Sequence, residues 1–239
     1  KAKYTENKDL LNVEVGGRTY SFSKSNGEIK GVKIGNRNIS LADGPRFIAA
    51  RRADRSFDQF YNHDDKEAES KKTQYTLYQD QGTFDKFDIG DKDGMPVITA
   101  KYKTGSLDSV CWTFNDKGDV KVRAAYNFGG VVDLMGVMFD YPESKVKSKS
   151  WVGDGPYRVW QNRLQGPQYG YWHNEYNDPI PGESFTYPEF KGYFADVDWM
   201  QIVTTEGKIN IKNLYTDKNY IGVYQPRDGR DHLLYTLPE

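Results

Sequence analysis

Residues 151–163 read WVGDGPYRVWQNR. Two tryptophans, two arginines, an aspartate and two glycines fall within thirteen residues, with a proline in the middle. Gly153, Gly155 and Pro156 break a helix, because glycine costs backbone entropy and proline removes a backbone donor. The segment is also too polar for a plain buried strand. A sugar-binding platform, a catalytic loop and a corner holding a β-fold together all remain open. Gly153 and Gly155 permit either a positive φ or a close backbone approach, and Pro156 fixes the exit. Arg163 carries a planar fork that could clamp a carboxylate and tie the loop ends together. These features weight the segment towards architecture.

The flanking chain has the rhythm of an all-β protein. Residues 12–15 and 18–23 (NVEV, RTYSFS) alternate polar and apolar, the period of a strand with one wet face. Asn26-Gly27 sits between two such runs and predicts a type I′ hairpin. A second turn follows at 35–38 (GNRN). Further strands are expected at 96–104, 107–114, 119–126, 131–140, 200–205, 208–213 and 219–224, with turns at 115–119 (NDKGD) and at Glu206-Gly207. Residues 51–92 are mostly charged and predict a long surface excursion with a short helix near 64–71. The opening KAKYTENKDLL, residues 1–11, has the look of a linker from an upstream domain. Regularly spaced short strands with turn signals predict a sandwich or barrel, here one large domain over 12–239. No 20–50-residue repeat suggests a propeller or solenoid.

Composition agrees. The 239 residues include 18 tyrosines and 23 glycines but only 4 methionines, and aromatic and β-branched side chains suit a pleated, half-buried surface. A net charge of −1 lacks the basic excess of a nucleic-acid partner. No apolar run reaches the ~20 residues of a membrane helix. The one cysteine, Cys111, allows no internal disulfide, and its neighbours Val110 and Trp112 predict a packed core thiol. His63, His173 and His232 are far apart and lack metal-ligand spacing. No P-loop, dinucleotide fingerprint, C-x-x-C, H-E-x-x-H or nucleophile elbow is present. Neither a metal nor another cofactor is expected, and no carboxylate pair is identifiable locally.

Trp151, Tyr157, Trp160, Tyr169, Tyr171, Trp172, Tyr176, Tyr187, Tyr193 and Trp199 crowd one stretch, with Arg158, Asn162, Arg163, Asn174, Glu175 and Asp178 between them. Aromatic faces stack on the C–H face of a pyranose while arginine, asparagine and carboxylates bond its hydroxyls. The same side chains also fill the edges of sandwich cores. Trp112 and Trp199, inside strand-like runs, are expected in the core.

The 151–163 segment resembles the W-x-G-x-G-P-x-x-x-Y-x-D-R element in the C-terminal domain of family 2 glycoside hydrolases of the β-galactosidase type. Trp151, Gly153, Gly155, Pro156 and Arg163 match; Trp160 stands for the usual tyrosine and Asn162 for the usual aspartate. YSFSKSNGEIKGVKIGN resembles the family's opening hairpin. GPRFIAARRADR resembles its G-P-x-x-x-x-x-R-A-P-x-D segment through Gly44, Pro45, Arg52, Ala53 and Asp54, without the proline after Ala53. YPEFKGYFADVDW, 187–199, is similar to a segment of multidomain hydrolases from polysaccharide-degrading gut bacteria.

The resemblance implies a large antiparallel supersandwich of the galactose mutarotase-like type. It places the two catalytic glutamates in a central (β/α) barrel outside this chain, so no catalytic residue is carried over. The domain packs on that barrel and helps wall the sugar pocket, and this chain ends at LLYTLPE before the family's last part. The implied partners are other domains of the same polypeptide and, through the parent enzyme, a galactoside or plant oligosaccharide; nucleic acid and membrane are not among them. The parent's implied location is periplasmic or extracellular. Arg52, Trp160, Tyr171 and Trp172 are the candidate sugar-binding residues, Arg52 to bond hydroxyls and the aromatics to stack. Two alternatives stand beside this reading. One is a stand-alone aldose mutarotase using His173 with Glu175 or Glu189 as acid and base. The other is a carbohydrate-binding module.

Overall fold

The computed structural model describes residues 2–52, 75–80, 82–132, 134–159, 165–175, 193–214, 219–224 and 232–238. Among these, strands dominate: β1 (Lys3–Glu6), β2 (Leu10–Val15), β3 (Arg18–Ser23), β4 (Ile29–Ile34), β5 (Arg37–Ile39), β6 (Ala42–Arg52), β7 (Tyr75–Tyr78), β8 (Thr83–Lys92) and β9 (Met95–Thr104). They continue with β10 (Leu107–Phe114), β11 (Val120–Tyr126), β12 (Leu134–Tyr141), β13 (Val146–Gly155), β14 (Gln168–Glu175), β15 (Trp199–Thr204), β16 (Lys208–Lys212), β17 (Asn219–Tyr224) and β18 (His232–Pro238). One 3₁₀ turn spans Glu143–Lys145. The fold is an all-β sandwich of antiparallel sheets.

The strands form one ten-stranded and two four-stranded sheets. The long sheet runs β1-β2-β3-β4-β6-β12-β18-β17, with β5 on β4 and β7 on β6. The others run β11-β10-β9-β8 and β14-β13-β15-β16. Side-chain alternation builds the layers. On β2, Leu11, Val13 and Val15 turn inward; on β10, Val110, Trp112 and Phe114 do. These meet Phe22, Phe47 and Ala49 in the first core, where Trp112 sits edge-on to Phe22 at 5.1 Å. Each large ring buried here contributes roughly 1.5–3 kcal/mol.

A second core joins Tyr141, Ile221 and Val223 of the long sheet to Trp151, Met200 and Ile202 of the β14–β16 sheet. Directly paired residues share a face. The register runs Phe47↔Val137↔Thr236↔Ile221 across β6, β12, β18 and β17. Both four-stranded sheets therefore cover the same face of the long sheet, side by side. On the opposite face Ile48, Ala50, Leu134, Met138 and Tyr220 gather with Val159 and Ala195.

Several expectations need correction. Residues 1–11 are not all linker: β1 pairs with β2 from Lys3↔Glu14 to Glu6↔Leu11. The 51–92 stretch is not one excursion, because β7 pairs with β6 and β8 with β9; the helix near 64–71 lies outside the described residues. The loop after β3 is longer than a type I′ turn. Ser23 N–H bonds the Glu28 carbonyl and Gly27 N–H the Ser23 carbonyl, and only Gly27 of the Asn-Gly pair has a positive φ. Cys111 is half-buried and alternates away from Val110 and Trp112, with Sγ 4.0 Å from the Thr113 hydroxyl. Trp199 is half-buried and outward rather than in a core.

Candidate functional site

The Trp151 segment spans the end of β13 and the turn that leaves it. Trp151 lies on β13 with its indole wholly buried, its ring 4.6 Å from that of Phe194. Its indole N–H donates to the Asp154 carbonyl at 2.7 Å, so a buried donor is satisfied within its own turn. Gly153 and Gly155 are required for closeness rather than for φ. A β-carbon on Gly153 would fall 2.9 Å from the Asp196 carbonyl oxygen and Val197 Cα; one on Gly155 would fall 2.4 Å from the Trp172 ring. The Gly155-Pro156 and Gly44-Pro45 bonds are both cis. Asn174 Nδ2 donates to the Pro156 carbonyl at 3.0 Å, tying the exit to β14. The segment is a corner.

Of the four candidate sugar-binding residues, the structure describes the side chains of two. Trp172 pairs with Trp151 across β13 and β14, on the inward face. It packs on the second core and donates to the carbonyls of Gly153 and Gln168 at 3.1 and 3.2 Å. That makes it part of the corner, with one ring face taken up by Gly155. Tyr171 points the other way, 65 % exposed. Arg52 ends β6, paired with Tyr75; its side chain lies outside the described residues, as do Trp160, Arg163 and Glu189.

Tyr171 belongs to a surface that the sequence did not single out as a unit. Across the sheet its row runs Tyr171↔Val152↔Trp199↔Lys212, and the next runs His173↔Ser150↔Gln201↔Asn210. Polar groups here hold one another in place. Tyr169 donates its hydroxyl to Asp198, which raises the tyrosine's pKa. His173 Nδ1 is 2.8 Å from the Ser150 hydroxyl, and Gln201 Nε2 donates to Asn210 at 2.8 Å. The His173–Glu175 pair proposed for acid–base work lies on this open face, 3.7 Å apart and 50 and 81 % exposed. Strand parity could have grouped Tyr169, Tyr171 and His173, but only the register adds Trp199.

Two charged clusters stand apart. Glu206 is nearly buried and accepts from Lys145 Nζ at 2.5 Å, the Ser40 N–H and hydroxyl, and the Tyr141 hydroxyl. Burial alone would raise its pKa, but these donors outweigh it and hold the carboxyl at about 2. The same burial pushes Tyr141 up to about 12. On the far face of the long sheet, Arg46 donates to Asp140 at 2.6 Å, and buried Glu28 beside them is raised by desolvation against the pull of Arg46 and Lys30. Among the described residues no group of three or more His, Cys, Asp or Glu is placed to hold a metal ion.

The sequence matches the family described as beta galactosidase small chain over residues 14–223. No curated protein matches the chain.

Proposed function

Because the chain belongs to the β-galactosidase small-chain family, we propose that it is an accessory β-sandwich domain of a family 2 type glycoside hydrolase. In this reading it buttresses a catalytic barrel and helps shape the sugar subsites, on a supersandwich of the galactose mutarotase-like type. The observation that carries it is the family match over residues 14–223, within which Trp151, Gly153, Gly155 and Pro156 form a close-packed corner rather than an open catalytic loop. Hydrolysis in the parent enzyme would be a retaining double displacement by two carboxylates of the barrel, in a bacterium that degrades polysaccharides outside its cytoplasm.

The purified 239-residue chain is therefore expected to leave nitrophenyl β-galactoside intact. Added to the parent's barrel portion, it is expected to raise that portion's kcat/KM or its melting temperature. Turnover by the pure chain, or no effect on the barrel, overturns the proposal.

A further inference from the structure

We propose that the outward face of the β14–β13–β15–β16 sheet is a carbohydrate-binding platform for a β-linked oligosaccharide, with Tyr171 and Trp199 as its stacking rings. The accessory role does not require this surface, and of the residues nominated for sugar contact from the sequence only Tyr171 belongs to it. Tyr171 and Trp199 flank Val152 in one cross-strand row. Two strand spacings separate their backbones by about 10 Å, the span of a disaccharide laid across the sheet. Among the described residues neither the Tyr171 hydroxyl nor the Trp199 indole N–H has a protein partner. Tyr171 is 65 % exposed and Trp199 half-buried on this face, so each presents part of a ring together with a free donor, the combination that C–H faces and hydroxyls of a sugar take up together.

The neighbours are already fixed. Asp198 holds the Tyr169 ring, Ser150 holds His173, and Gln201 and Asn210 hold each other. Binding would not have to order them, which lowers its entropic cost. Lys208, Lys212, Glu175 and Asp198 bound the strip. Its aromatic and apolar part amounts to Tyr169, Tyr171, Val152, Trp199 and Val203. A stable protein interface takes about 20–30 residues and about 800 Å² from each partner, so the strip suits a narrow, flat ligand better than another protein.

The test is calorimetric titration of the full chain with β-1,4-linked galactotetraose, cellotetraose and xylotetraose. At least one is expected to bind saturably. Tyr171→Ala is expected to weaken that binding by about tenfold, equivalent to about 1.4 kcal/mol, with an unchanged melting temperature. Trp199→Phe keeps a ring but removes the indole N–H, and its expected loss is smaller. Absence of binding across the three sugars, undiminished binding by Tyr171→Ala, or self-association through this face overturns the platform. Since Tyr171 is outside the corner, that failure would leave the buttress role standing.

Discussion

At position 153 no side chain fits. Three backbone atoms, the Asp196 and Ala195 oxygens and Val197 Cα, sit within 3.0 Å of where a β-carbon would be, and backbone cannot swing aside as a lysine tip can. Gly153→Ala is expected to destabilise the chain by about 1–3 kcal/mol in urea unfolding. Gly90→Ala, on β8 with open space around it, is expected to change stability by under about 1 kcal/mol; equal losses at both sites would refute the close-packing account. The sequence left two reasons for these glycines, and the structure selects approach over φ. It also named Trp172 and Tyr171 together. They are neighbours on a strand, so alternation sends one into the corner and the other to solvent. Which goes where depends on the partner strands, and that information is not local.

At the scale of elements, Glu206 closes a four-way junction of the β5–β6 connection, the 3₁₀ turn, β12 and the β15–β16 turn. Its carboxyl is near 2 in the fold against an ordinary 4.5. A lowered acid contributes stability that is present above the unfolded value and lost as pH falls towards the folded one. Melting temperature should therefore fall between about pH 5 and pH 2 by more in the wild type than in Glu206→Gln, which should start lower at pH 7. Parallel curves would show that the junction carries no such linkage. Strands with one buried face were legible as alternation, β2, β3, β10 and β15 among them. The outermost β1 and β8 were not. In β8 seven of ten residues are exposed and β1 is an edge strand with one half-buried residue, so both resemble loop in composition.

For the whole molecule, the class of fold could be read from strand spacing, but the arrangement of sheets could not. The order β6-β12-β18 joins strands far apart in the chain, and no local pattern encodes such pairing. The layout gives β6 and β12 neighbours on both edges while they send side chains into cores on both faces. Hydrogen exchange followed by mass spectrometry should find amides of 46–50 and 134–139 slowest, and those of the sheet edges β11 and β14 fastest. Uniform protection throughout would contradict it. β4 and β6 share a single register pair, Ile29↔Gly44. The N-terminal meander is thus moored to the rest chiefly by side chains of the first core, not by a continuous ladder. A neighbouring body leaning on that flank would meet a compliant seam, whereas the same load at the centre would meet a stiff plate.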